Sequence, residues 1–196
     1  TLLAMTDVDG TEIATDPRQA STYFNLASIY FTLEEYRQAE KHFETLVALA
    51  PGSLYAVKAR FWLGMIEMAR GRISRGKERI LEAARRAPDG TTRLSFKSRL
   101  AEILFKVGKF EEALAMYEAV LPHLGHEEQV AVKYQVACIY DRLGRRAEAI
   151  YLLRQLLVEK PDSVPIKLTL VDLEIKEGRW KAAAEALAEV KAEYGP

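Results

Sequence analysis

The chain is poor in the features that usually announce chemistry. It has a single cysteine, Cys138, among 196 residues, so no intrachain disulfide can form and the thiol content says nothing of compartment. No apolar run approaches the ~20 residues that carry a helix across a bilayer. Neither sign of charge dominates. The 28 Lys+Arg are matched by 28 Asp+Glu, which removes any bulk electrostatic drive towards nucleic acid. A basic segment followed by an apolar stretch and a cleavage site is missing. So are a glycine-rich phosphate loop and a Ser/His/Asp signature. The chain opens on Thr1 rather than methionine, which implies a processed protein or a piece of a longer one. Two compartments, the bacterial cytoplasm and the periplasm, are both compatible with it. What the sequence does have is 49% apolar and 29% charged residues, the balance of a core-forming protein rather than a disordered one.

It also has a repeat. Four phrases align: Asn25-Leu26-Ala27-Ser28-Ile29-Tyr30, Trp62-Leu63-Gly64-Met65-Ile66-Glu67, Arg99-Leu100-Ala101-Glu102-Ile103-Leu104 and Gln135-Val136-Ala137-Cys138-Ile139-Tyr140. A weaker fifth is Thr169-Leu170-Val171-Asp172-Leu173-Glu174. The large apolar member falls at 26, 63, 100, 136 and 170, in steps of 37, 37, 36 and 34. Two further series keep the same period: Ala39, Gly76, Ala113, Ala149 and Ala183, then Phe43, Ile80, Tyr117, Leu153 and Leu187. Three series at one period define a repeat architecture.

Each unit reads as two helices. An apolar run with i, i+3, i+4 spacing leads to Gly71, Gly108, Gly144 or Gly178, and a second such run follows. The small residues Gly64, Ala101 and Ala137 allow close helix approach, while the larger members of each series fill the space beside them. Pro51, Pro88 and Pro161 stop the second helices.

The pattern resembles the tetratricopeptide repeat, whose signature is W-x2-L-G-x2-Y, A-x3-F, P over 34 residues. Tyr23, Leu26, Ala27, Tyr30, Ala39, Phe43 and Pro51 carry it in the first copy, and Gly178, Trp180, Ala183 and Leu187 in the fifth. The resemblance implies an all-α fold, an α-solenoid of stacked antiparallel helix pairs in a right-handed superhelix. The repeats run about 20–53, 57–90, 94–127, 130–163 and 164–196, after an irregular tail over 1–19. Steps above 34 place extra residues in loops near Gly52-Ser53, near Asp89-Gly90-Thr91, and at 123–126.

Other candidates for chemistry are weaker. Asp7-Val8-Asp9-Gly10-Thr11 resembles the nucleophile motif of haloacid-dehalogenase-type phosphatases. That mechanism also needs a lysine and magnesium-binding acids on a following α/β domain, and helical repeats follow instead. His123 and His126 have an H-x-x-H spacing beside Pro122 and Gly125, with no cysteine or third histidine near them. Cys138 falls on a helix face, where a packed thiol is the ordinary state. No enzyme, metal or other cofactor is expected.

Charge is unevenly spread. Residues 1–57 carry 3 Lys+Arg against 8 Asp+Glu, and residues 58–99 carry 12 against 4. Arg72, Arg75 and Arg79 lie in that basic block, on a second helix that the resemblance turns outward. They are expected to be a solvated face, with a docking patch for an acidic partner, a polyanion or nucleic acid as the alternative, the last weakened by the few aromatics interleaved with the block.

The resemblance also implies a concave groove lined by first helices. Carried over by repeat position, its residues are Phe24, Ser28 and Phe31, then Phe61, Met65 and Met68, then Arg99, Glu102 and Phe105, then Tyr134, Cys138 and Arg142, and finally Leu168. The apolar members form a stripe that the signature core does not require, and methionine suits adaptable binding. One subclass binds chaperone C-termini through a clamp of Lys, Asn and Arg. The corresponding residues here are Phe24, Ser28, Trp62, Ser95 and Arg99, and only Arg99 matches. The expected function is therefore non-catalytic binding of a protein or peptide partner in the groove. The alternatives are a self-associating assembly segment, or an accessory region of a larger enzyme or export protein.

Overall fold

A computed structural model describes residues 17–194. The Asp7 to Thr11 motif and most of the expected tail lie outside the described residues. Among the described residues the elements are ten α-helices and one 3-10 turn, with no strand. They are α1 (Pro17–Thr32), α2 (Tyr36–Leu49), α3 (Leu54–Ala69), α4 (Ile73–Arg85), α5 (Gly90–Lys106), α6 (Phe110–Val120), the 3-10 turn Leu121–His123, α7 (His126–Arg142), α8 (Arg146–Glu159), α9 (Val164–Lys176) and α10 (Trp180–Tyr194). The fold is an all-α solenoid of helix pairs. Helix α1 begins three residues before the expected start of the first repeat. His126 is the first residue of α7 rather than part of the loop before it.

Local chemistry accounts for the boundaries. In all five repeats one residue sits in the left-handed region between the paired helices. Gly71, Gly108, Gly144 and Gly178 have φ of 79°, 76°, 74° and 72°, and Glu34 holds the same place at 60°. The next N–H then reaches back to the carbonyl five residues earlier, as in Arg72 to Glu67 (2.9 Å), Arg145 to Tyr140 (2.8 Å) and Arg179 to Glu174 (2.8 Å). That is the Schellman closure, which satisfies carbonyls left over at a helix end. The extra inter-repeat residues are used as caps. The Ser53 hydroxyl accepts from the Ala56 N–H at 3.1 Å, and the Asp89 carboxylate accepts from the Thr92 N–H at 2.7 Å. The Gly125 N–H donates to the Glu128 carboxylate at 3.0 Å.

The chain divides into two compact units, Thr1–Leu100 and Ala101–Pro196, and the boundary falls inside α5. In the first unit, Ala27, Ala39, Phe43, Leu46, Ala59 and Ile66 are fully buried. Helices α3 and α4 approach so closely that a Cβ on Gly64 would lie 2.9 Å from the Gly76 carbonyl oxygen. One on Gly76 would lie 2.7 Å from the Gly64 carbonyl oxygen, so two backbones meet where side chains would otherwise stand. In the second unit, Ala137, Ala149, Leu153 and Leu156 are fully buried. The second helices bury i, i+4, i+7 triplets such as Ala39/Phe43/Leu46 and Ala149/Leu153/Leu156.

Candidate functional site

In the first unit the expected groove stripe is largely internal packing. Phe61 and Met68 are only 6% and 5% exposed. Phe61 stacks on Phe96 with ring centroids 4.4 Å apart, and the Met68 side chain fills the space left by Gly76. Phe31 is half-buried, edge-on to Trp62 at 4.8 Å. Phe24 is half-buried against Phe43 and Tyr55. The Ser28 hydroxyl donates to the Phe24 carbonyl at 2.8 Å. Met65 keeps partial exposure, and Arg99 is exposed. The expectation that these apolar side chains are surplus to the core is therefore corrected for Phe61 and Met68. Adjacent first helices carry aromatic rings large enough to reach one another and close the space between them.

The basic block is corrected too. Arg72, Arg75 and Arg79 are not merely a solvated face, because all three point at one buried carboxylate. Glu67 is 2% exposed. The Arg72 Nε–H donates to its Oε2, while Arg75 Nε and Arg79 Nη1 lie 3.4 and 3.7 Å from its Oε1. The hydrogen bond from Arg72 leads the causes that hold the Glu67 carboxyl below the usual carboxylate range, and burial opposes it. Arg70 pairs with Glu40 at 2.7 Å.

The second unit repeats the device. Glu174 is 1% exposed and accepts from Arg154 Nη2 at 2.6 Å and from Arg179 Nη1 at 3.4 Å. Glu67 and Glu174 occupy the signature aromatic position, which is Tyr30, Leu104 and Tyr140 in the other repeats. Five residues on stand Arg72 and Arg179, and Arg145 follows Tyr140 in the same way, with its guanidinium 4.4 Å from the tyrosine ring centroid. Sequence reasoning passed over these two carboxylates. The available signal was a glutamate at an aromatic position with an arginine five residues later.

The remaining groove candidates lie in the second unit. Phe105 is half-buried beside Phe110 at 5.7 Å, and Glu102 is half-buried. Cys138 is half-buried, and burial pushes its thiol pKa up. Arg142 is exposed, as is Leu168. The Thr169 hydroxyl donates to the Pro165 carbonyl at 2.8 Å, which leaves the Tyr134 hydroxyl as donor in its 2.9 Å bond to Thr169 Oγ1. This bond orients the Tyr134 ring at the wall of a depression of about 760 Å³. Its apolar lining includes Val130, Ala131 and Tyr134 of α7 and Pro165 and Ile166 of α9. The ion pairs Glu127–Lys160 (2.7 Å) and Lys133–Glu159 (3.3 Å) lie beside it. Of the groove residues expected in this unit only Tyr134 lines the depression. Among the described residues no group of three His, Cys, Asp or Glu could hold a metal ion, and no helix is long and apolar enough to cross a membrane.

Comparison with known proteins gives the class. A tetratricopeptide repeat-like domain model matches residues 12–137, and a tetratricopeptide repeat model matches residues 142–195. The chain belongs to the tetratricopeptide-repeat family. Proteins of this kind are in general non-catalytic scaffolds for protein–protein interaction. A comparison with curated protein sequences finds no match. Among solved structures the chain is similar to a tetratricopeptide repeat protein from Parabacteroides merdae ATCC 43184, with 16% identity, 90% of this chain and 67% of that one covered, and a TM-score of 0.71. MamA of Desulfovibrio magneticus RS-1 gives 16% identity, 91% and 96% coverage and a TM-score of 0.69. YrrB, described as a TPR protein with an unusual peptide-binding site, gives 15%, 87% and 84%, and 0.60. At such identities the likeness shows the fold.

Proposed function

We propose that this chain is a non-catalytic protein-interaction module, and that its second unit takes an apolar segment of a partner peptide in the depression between α7 and α9. The observation that carries the reading is the depression itself. It is open, apolar at Val130, Ala131, Tyr134 and Ile166, and flanked by charge. Its volume lies in the range of ligand clefts. Tyr134 is also a position that the family resemblance turns inward. A peptide-binding site in a protein of the same fold lends support. In the first unit the corresponding side chains are engaged with one another, so the reading rests on the second unit.

The test uses peptides selected from a random display library against the whole chain and measured by calorimetry. Ala131 is exposed, so Ala131→Glu leaves the fold intact and places a charge in the depression. Binding is expected to fall at least tenfold, since one buried apolar side chain is worth about 1.5–3 kcal/mol. Unchanged affinity in Ala131→Glu would exclude this site.

A further inference from the structure

The basic block of residues 58–99 holds more cations than its own acids can match. Arg72, Arg75 and Arg79 face Glu67, and Arg86 pairs with Glu82 at 2.8 Å. Both Asp89 oxygens accept from Thr92, one from its N–H at 2.7 Å and one from its hydroxyl at 2.9 Å, so this carboxylate caps α5. Arg93 reaches Asp89 only as a further charge. Three of the cations left over meet in one place. Arg85, the last residue of α4, and Arg93 and Lys97, one turn apart on α5, line a depression of about 450 Å³ together with Leu81 and Ala84. All of these residues lie in the first unit.

The depression suits an anion. Among the described residues no carboxylate lines it, and neither Arg85 nor Lys97 has an ion-pair partner. The Arg93 Nε–H donates to the Ala84 carbonyl at 3.4 Å. That contact tethers the guanidinium to the end of α4 while using one of its five donors. A side chain already held in place loses less freedom on binding. The charge of the site selects the ligand. A carboxylate brings a single charge, which leaves most of the positive charge of Arg85, Arg93 and Lys97 unmatched. A phosphorylated side chain carries about −1.5 to −2 at pH 7 and presents three acceptor oxygens, and arginine clusters hold such groups through paired N–H bonds. A nucleic-acid strand fits less well, because the chain has no net charge and no aromatic side chain among the described residues lines the depression to stack a base.

We propose that the depression between α4 and α5 is a second binding site, and that it takes a phosphorylated side chain of a partner segment. Arg85, Arg93 and Lys97 hold the phosphoryl oxygens, and Leu81 and Ala84 pack on the carbon stem that carries them. The site is separate from the apolar depression of the second unit and adds a phosphate-dependent contact to it. Peptides from a random display library carry no phosphate, so either reading can fail alone.

The test passes peptide libraries with one fixed phosphoserine or phosphotyrosine over the immobilised 196-residue chain. Retained peptides are then measured by calorimetry beside their unphosphorylated and glutamate forms. The phosphorylated form is expected to bind at least about tenfold tighter than either. Arg85→Gln combined with Lys97→Gln removes no ion pair among the described residues, so this variant should keep the parental circular dichroism and melting temperature. It is expected to reduce the preference for phosphate to less than about twofold. Lys109→Gln, at an exposed lysine that does not line the depression, should leave the preference intact. Libraries without a phosphate-dependent member would overturn the proposal, as would a preference that survives the double substitution. A glutamate form that binds as tightly would replace the phosphoryl group with a plain acidic segment. Phenyl phosphate bound as tightly as the peptide would assign the site to a small phosphorylated ligand instead. A single-stranded oligonucleotide bound more tightly, and lost in the same variant, would assign it to nucleic acid.

Discussion

Removing the three arginines around Glu67 is the sharpest perturbation the structure offers. If Arg72, Arg75 and Arg79 were only a solvated face, neutralising them would leave folding nearly unchanged, as it does for exposed charges. The structure reverses it. The energy at stake belongs to the carboxylate, which is 2% exposed and would be left without a counter-charge. Removing one partner of a fully buried pair costs about 3–5 kcal/mol. The ceiling here is lower, because Glu67 can escape by taking up a proton. At pH 7 that costs about 3.7 kcal/mol for a carboxyl with an ordinary pKa near 4.3. Water entering where the arginine stems stood lowers it further. The combined Arg72→Gln, Arg75→Gln and Arg79→Gln variant should therefore lose about 2–3.5 kcal/mol at pH 7, or about 4–14 °C in Tm for a chain of this size. Adding Glu67→Gln to that background should recover most of the loss, since a buried amide needs no counter-ion. The pH dependence has a definite sign. The depressed pKa of Glu67 contributes stability above the ordinary carboxyl pKa, and that contribution is lost as pH falls through the folded value. The deficit of the triple variant relative to the parent should accordingly shrink between pH 7 and about 4. Urea titrations followed by circular dichroism measure all of this. A triple variant within about 0.5 kcal/mol of the parent at pH 7, or a loss indifferent to Glu67→Gln, would refute the reasoning.

Three further outcomes follow from the packing. Phe61→Ala should destabilise by about 3–5 kcal/mol, at least as much as Leu63→Ala, because both side chains are buried; a shift below about 1 kcal/mol would return Phe61 to the surface. Gly76→Ala should cost about 1–3 kcal/mol by thermal melt, since its Cβ would press on the Gly64 carbonyl and on Met68, whereas Gly52→Ala, in open space, should be nearly silent. His42 is stacked parallel on Tyr30 at 5.4 Å with its Nδ1 buried and unpartnered, and burial holds its pKa below the ordinary 6.5. The unfolded chain protonates first, so stability should fall as pH drops through about 6.5, and His42→Phe should flatten that slope in urea midpoints between pH 7.5 and 5.

The period carried most of the fold. Steps of 34–37 residues implied helix pairs, and helix pairs are what the described residues form, although α5 starts at Gly90 and α7 at His126, each four residues before the expected repeat start; the glycines at 71, 108, 144 and 178 took the positive φ expected of them. Glu34 at the same turn was not legible, because a non-glycine residue there leaves no mark in composition. The site was harder to see. A repeat position says which way a side chain points and leaves open what meets it. The family pattern implies a groove position for Phe31 and Phe61, but Trp62 and Phe96 stand against them. Arg72, Arg75 and Arg79 read as surface because arginine usually is. Only the burial of Glu67 one helix earlier turns them into counter-ions. The depression beside Tyr134 depends on the spacing between α7 and α9, which no local pattern encodes.

The claim that matters most is that the second unit, and not the packed first one, holds the partner. Backbone amide NMR of the whole chain, titrated with display-selected peptides, tests it directly. The account predicts shift changes concentrated on residues 130–134 of α7 and 163–166 at the start of α9, and their loss in Ala131→Glu. Changes confined to α1 and α3, or to the outer helices, would contradict it.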